Sequence, residues 1–570
     1  MRVRPPETQG SGVDRVPTFA PLAVPEYRRI WSAMVVSNLG TFLQLTAAPW
    51  LMKELTGSPL LVALVTTALT LPRLLLTVPA GVLTDAVDRR TLLISGQLIS
   101  AVAVAVMAVT TALDVITPTA LLALSFALGV GNAFALPAAQ TLVPDLVPAR
   151  LRAQAITLNS AAFNIARALG PAIGGALVAA GLTAGAFGLN AASYLGIVGV
   201  MLAFPRQGVE DPARQRMWRS AALGVRYVRF TRPIRVLLVV TAVFALTTAA
   251  LQALLPNVTS DDLGLGAGGF GVLYGIFGAG ALVAALTRES ARTLLGAAML
   301  PASVLTFGVA GVVFGLAPGP IVSGLALAVA GVAWVWTLTT LNASIQILAP
   351  RWVRGRVVSL YLLAIGLQPL GAFIGGLVAE VTGSGNAVAI LSGFTVALGL
   401  VTFRLDLPVL GDLEEPHAPD DWEMRPHASA VAGTPILVAT TWVIDRDDIP
   451  GFLDVMRQLR RQRYRTGAHR WSLFRDADQP TRITELFEVH DWAEHLAQHQ
   501  RMDEEAAAVL AEARSFDRDG GPTTRHLAGL DIVDAHADPI EEQLLTVHEE
   551  LHRTDGSVPL GPERHPAGGS

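Results

Sequence analysis

The chain has 570 residues, 52% hydrophobic and 15% charged, with a mean hydropathy of +0.48. A soluble chain of this length rarely averages so apolar, and the absence of cysteine excludes a disulfide scaffold, a zinc–thiolate site and a cysteine nucleophile. The net charge of -4 hides a split: residues 1–405 carry 26 basic and 14 acidic side chains, whereas residues 406–570 carry 16 and 32, with all 11 histidines.

Residues 1–27 are polar and proline-rich, without the pattern of a cleaved signal peptide, and read as a cytoplasmic tail. Twelve stretches then approach or exceed the roughly 20 apolar residues that a membrane helix needs. They cover 30–51, 60–83, 91–112, 119–141, 155–179, 185–204, 235–256, 269–287, 293–315, 320–345, 357–381 and 386–404. Each is continuously apolar, where a barrel strand would alternate. The fold class predicted is an all-α polytopic membrane protein of twelve helices. Apart from the mid-helix Arg73 and Arg167, 23 Lys and Arg of residues 1–405 fall in or at the ends of the connections on one side and only Lys53 on the other. The positive-inside rule then places both termini in the cytoplasm.

The chain also repeats. RTLL at 90–93 recurs at 292–295, Pro148 with Arg152 recurs as Pro350 with Arg354, and LGPAIGG at 169–175 recurs as LGAFIGG at 370–376. Two six-helix bundles, 28–204 and 235–405, are therefore expected in parallel repeat, joined by a basic linker at 205–234. Repeated halves around a central site are the plan of alternating-access transporters.

GVLTDAVDRRTLL at 81–93 resembles a signature loop of the major facilitator superfamily, with Gly81, Asp85, Arg89 and Arg90 on its positions and Ala86 and Asp88 departing from it. That resemblance implies a conformational latch through charge-assisted hydrogen bonds. GPAIGG at 170–175 resembles the helix 5 motif of exporters in that superfamily, carried here by Gly170, Pro171, Gly174 and Gly175. It implies close approach of a neighbouring helix and favours export. Over residues 28–535 the chain is similar to the bacterial transmembrane secretion effector group, which includes enterobactin-exporter-like transporters. The resemblance implies a cavity lined by the first, fourth, seventh and tenth helices.

Polar groups within a membrane are costly and so are functional candidates. Arg73 and Arg167 lie mid-helix, and Asn38, Gln44, Asn132, Asn164, Asn342 and Gln346 add amides on the first, fourth, fifth and tenth stretches. With no mid-helix carboxylate to neutralise the two arginines, the cavity should favour anions. Arg167 is the better candidate, since the second helix is not expected to be a main wall. Asp85 and Glu380, near helix ends, are the nearest candidates for proton coupling. No GxxxxGK[ST] occurs, so the chain does not read as an ATP-driven pump.

Residues 406–434 form an acidic linker. A strand at 436–444, a helix at 447–463, a hairpin of 469–476 with 481–490, a helix at 491–513 and a strand at 526–533 follow. This βαββαβ order is ferredoxin-like, so an α+β domain is expected over 435–535. It resembles the small domain of antibiotic-biosynthesis monooxygenases, most closely through ELFEVHDWAEHLAQHQR. His495 and His499 share a helix face near His490, a spacing that can bind metal, but further ligands are not evident and no metal or cofactor is expected. The preferred reading is a regulatory or dimerisation module with solvated histidines, and a solvated face is expected for Arg457, Arg460, Arg461, Arg463 and Arg465. Residues 536–570 read as a disordered tail.

The function expected is a secondary active exporter of a small metabolite (a siderophore, antibiotic or drug-like compound) in the bacterial cell membrane, and not an enzyme. Alternatives are a transporter fused to a catalytic monooxygenase-like domain and a non-transporting sensor. The expected partners are the small-molecule substrate, membrane lipid and a second copy bound through the C-terminal domain, without nucleic acid.

Overall fold

The computed structural model describes residues 17, 19–86, 88–145, 147–203, 216–405 and 435–529. They divide into two compact units: Met1–Arg216 with Val236–Gln346 and Val358–Leu413, and Met217–Arg235 with Ile347–Val357 and Glu414–Ser570.

The first unit is helical. Its N-terminal half comprises α1 (Pro25–Thr56), α2 (Pro59–Ala86), α3 (Arg89–Ala112), α4 (Pro118–Asp145), α5 (Arg152–Ala179) and α6 (Thr183–Leu202). After α7 (Arg216–Phe230), which falls in the second unit from Met217 on, come α8 (Arg232–Ala253), a short turn α9 (Leu255–Asn257), a π-turn at Val258–Asp262, α10 (Ala267–Leu295), α11 (Met299–Gly315) and α12 (Pro320–Leu348). The half closes with α13 (Arg351–Ile365), α14 (Gln368–Thr382) and α15 (Ser384–Thr402).

Among the described residues, ten helical stretches are long and apolar enough to cross a membrane, against the twelve expected. The stretch Ala267–Gly315 contains both α10 and α11, joined at Gly296, whose φ of +50° suits a residue without Cβ. Helix α1 is not among the ten, because Ser37, Asn38, Thr41, Gln44 and Thr46 lower its hydropathy. The expected helix 357–381 is interrupted at Gly366 and Leu367, just ahead of Pro369 at the start of α14.

Small residues set the packing between the halves. A Cβ added to Gly170 would meet Phe42 Cβ at 2.4 Å, and one on Gly174 would meet Thr46 Cβ at 3.1 Å, both on α1. One on Gly175 would lie 2.6 Å from Gly271 Cα on α10, in the other half. The repeat does the same in mirror assignment. Gly371 and Gly375 press on Leu246 and Ala250 of α8, while Gly376 lies against Ala63 and Leu60 of α2. In each half the last glycine of the motif thus makes the inter-half contact. Polar bonds join the same end: Lys53 Nζ pairs with Asp261 at 2.6 Å, and the Glu380 carboxylate accepts from Ser58 Oγ and from Leu60 N–H at 3.2 Å.

The second unit is built on a four-stranded antiparallel sheet in the order β2-β3-β1-β4, from β1 (Ile436–Val443), β2 (Arg470–Arg475), β3 (Arg482–Val489) and β4 (Thr523–Ala528). Helix α16 (Ile449–Thr466) follows β1. The single helix expected at 491–513 is two, α17 (Trp492–Gln500) and α18 (Glu504–Ser515), because Asp503 caps the second through Ala506 N–H at 2.9 Å. Asp491 caps α17 through Glu494 N–H at 2.7 Å. Alternate residues of β1 are buried, and Trp442, Phe452, Met456 and Leu459 form the core with α16 and α18.

The stretch read as a basic linker is partly structural in this unit. Arg226 of α7 donates to the carbonyls of Gly467 (3.1 Å) and Ala468 (2.8 Å) and lies 2.7 Å from His469 Nδ1. Phe230 stacks on Tyr464 at 5.0 Å, and the Arg501 guanidinium lies over the Trp352 ring at 4.8 Å.

Candidate functional site

The first unit holds a cavity of about 390 Å³ lined from both halves. Arg167 reaches it from the middle of α5. Its guanidinium lies 5.1 Å from the Phe163 ring centroid and 4.7 Å from that of Trp334, a cation–π arrangement in which aromatic faces stand where a counter-ion otherwise would. No carboxylate pairs with Arg167 among the described residues. Arg73 reaches the same cavity from α2, so this helix does contribute to the wall. Asn38 and Asn132 line it as well.

The other amides fall elsewhere. Gln44 is buried and donates to Met107 Sδ at 3.1 Å. Gln346 donates to Asn342 Oδ1 at 3.0 Å, an i, i+4 bond on α12, and neither lines the cavity, nor does Asn164. An amide's helix can be read from sequence, but its rotation about the helix axis depends on neighbours remote in the chain. The same limit hides Gln97, Gln252 and Gln368, which line the cavity, and the aromatic residues Phe270, Tyr274, Phe277 and Trp334. An aromatic within an apolar run gives no signal beyond hydrophobicity.

The expected latch is described only at Arg90. The side chains of Gly81, Asp85 and Arg89 lie outside the described residues. Arg90 Nε and Nη2 donate to the carbonyls of Met201 (2.7 Å) and Leu202 (3.0 Å), so this arginine caps the C-terminus of α6 in its own half. Asp88, a departure from the loop signature, accepts from Thr91 N–H and caps α3.

In the second unit, His495 is buried, with Nε2 2.9 Å from His526 Nε2 and its ring 4.7 Å from that of His499. The expectation of solvated histidines fails here, because α17 packs this face on the sheet. Burial, with neighbouring His499 and His526, pushes His495 down to about 3, and burial with Arg463 and His526 holds His499 at about 4. Among the described residues no group of three or more candidate ligands is arranged to hold a metal ion. Arg463 is also buried, donating from Nε to Glu485 Oε1 at 3.0 Å, and Arg465 pairs with Asp503 and Glu505, so these two are not on a solvated face.

Residues 16–530 match the family described as transmembrane secretion effector. The chain is 30% identical over 409 residues to the multidrug efflux pump Tap of Mycolicibacterium fortuitum, covering 67% of this chain and 95% of the relative. It is 25% identical over 350 residues to the staphyloferrin A transporter of Staphylococcus aureus, covering 60% and 87%. Among solved structures, the nucleoside transporter NupG superposes with a TM-score of 0.53 at 13% identity, over 66% of this chain and 98% of that one. That last likeness shows the fold alone.

Proposed function

The chain belongs to the transmembrane secretion effector family of major facilitator transporters, and on that premise we propose that it is a secondary active exporter of a small metabolite, working by alternating access. The observation that carries the reading is the cavity lined by both repeated halves, with their close contacts, Gly175 on Gly271 and Gly376 on Ala63, beside Lys53 and Asp261 at one end. The arginine bias puts Lys53 on the outer face, so this state has its outer end closed and loads from the cytoplasm. Twelve membrane helices with both termini cytoplasmic fit that bias, counting α1 and separating α10 from α11. Relatives named for drug efflux and for staphyloferrin A support a siderophore, antibiotic or drug-like substrate. The sheet order β2-β3-β1-β4 supports a ferredoxin-like C-terminal domain, acting as a regulatory or dimerisation module in the bacterial cell membrane protein.

Inverted membrane vesicles test this reading. Accumulation of a siderophore or drug from a panel, dependent on an imposed ion gradient, is expected. No gradient-dependent accumulation of any compound would overturn it.

A further inference from the structure

The two walls of the cavity differ chemically. Both cations, Arg73 and Arg167, come from the N-terminal half, together with the amides of Asn38, Gln97 and Asn132. The C-terminal half brings no charge to the lining but the amides of Gln252 and Gln368 and four rings, Phe270, Tyr274, Phe277 and Trp334, while Phe42, Phe163 and Tyr194 add rings from the N-terminal half. The four C-terminal rings form a chain, with Phe270 on Tyr274 at 5.9 Å, Tyr274 on Phe277 at 6.5 Å and Phe277 on Trp334 at 6.2 Å. Arg167 touches the end of that chain, over the Trp334 face. No carboxylate lines the cavity among the described residues.

We propose that this cavity selects amphipathic aromatic anions: a carboxylate, sulfonate or phenolate end held by Arg167 and Arg73, and a planar apolar end laid along the rings of the C-terminal half. The inference rests on the exporter reading and deepens it by naming the substrate class. Three considerations carry it. A mid-membrane arginine costs at least about 2.5–3.5 kcal/mol, and a ligand's negative charge offsets that cost while bound. A guanidinium fork donates two parallel hydrogen bonds to a carboxylate, a bidentate geometry that a point charge does not reproduce. A row of rings with one cation at its end fixes both the orientation and the length of the ligand. Because both cations come from one half and the contiguous row from Phe270 to Trp334 from the other, a ligand that satisfies both bridges the two bodies that must rock against each other. A ligand that satisfies one leaves them uncoupled.

Binding to the purified full chain in nanodiscs tests the assignment directly. Three probes separate the two walls: 1-pyrenebutyrate (aromatic and anionic), 1-pyrenebutanol (aromatic and neutral) and decanoate (anionic and aliphatic). The wild type should bind pyrenebutyrate at least about tenfold more tightly than either other probe, since about 1.4 kcal/mol separates each decade. Arg167→Gln should remove most of that advantage over pyrenebutanol, and Arg167→Lys should restore only part of it. Tyr274→Leu should weaken both pyrene probes and leave decanoate unchanged. Thermal unfolding of each variant checks that it is folded, and Arg167→Lys keeps the test open should Arg167→Gln not fold. Equal loss of pyrenebutyrate and pyrenebutanol in Arg167→Gln, or wild-type affinity for decanoate equal to that for pyrenebutyrate, would overturn the assignment. The expected binding pattern without vesicle transport would instead sink the exporter reading and leave this one standing. Transport with no preference among the probes would do the reverse.

Discussion

Glu485 is fully buried, and one of its oxygens accepts from both Arg463 Nε at 3.0 Å and Trp471 Nε1 at 2.9 Å. Breaking a buried pair from one side leaves the other charge uncompensated and costs about 3–5 kcal/mol. Glu485→Gln should therefore lower the unfolding midpoint of the C-terminal domain, read by limited proteolysis in denaturant, while Glu485→Leu with Arg463→Met should recover most of the loss. The sequence shows Arg463 only as one arginine in a basic helix, because its partner lies 22 residues away on β3. The histidines mislead for the same reason, since their burial depends on how α17 packs. Their low values set a pH dependence. His495 at about 3, with His499 and His469 at about 4, lie below the ordinary 6.5, and for His469 burial comes first, then Arg226 and His490. The unfolded domain thus binds more protons between these limits. The stability contributed by these groups is complete above pH 6.5 and is lost as pH falls through about 4 and 3. Denaturant midpoints at pH 7 and pH 5 should show the lower value at pH 5, and His495→Phe should shrink the difference. An equal or higher midpoint at pH 5 would contradict it.

At the scale of elements, the repeated glycine motif is legible in its position but not in its division of labour. Sequence shows LGPAIGG and LGAFIGG at nearly constant offset, and small residues imply close packing. Only the packed helices reveal that Gly170 and Gly174 serve α1, while Gly175 reaches across to Gly271 and Ala267, beside the Pro171 carbonyl that also faces Gly271. Gly175→Val would drive a side chain into backbone 2.6–2.7 Å away, with no flexible neighbour to give way. It should open the outer end and depress transport severalfold without blocking membrane insertion, whereas Gly188→Val, with open space around it, should leave both unchanged. Cross-linking of cysteines introduced at Leu55 and Val381, both exposed at that end, should fall in Gly175→Val. Unchanged cross-linking would reduce the motif to packing within one half. The helix break at Gly366 and the cap at Asp503 show the complementary limit: a continuous apolar or polar run predicts a helix but not its interruption.

For the whole molecule, the division into an apolar basic part and an acidic histidine-bearing part is plain from charge alone. Less visible is that 217–235 and 347–357 belong with the C-terminal sheet, because contacts such as Arg226 with Ala468 span more than two hundred residues. Removing the chain after Gly411 would strip Arg226, Phe230 and Trp352 of these partners within the second unit. The central claim is that the two halves alternate around one cavity. The chain has no cysteine, so spin labels at Leu55→Cys and Val381→Cys, both exposed, report only the labelled end, which is the outer one in the proposed topology. Their distance distribution, measured in nanodiscs with and without a transported substrate, should contain a short population from the closed outer end and a longer one whose share changes with substrate. A single short distance under every condition, in protein that transports, would contradict alternation at this end and with it the account of the cavity.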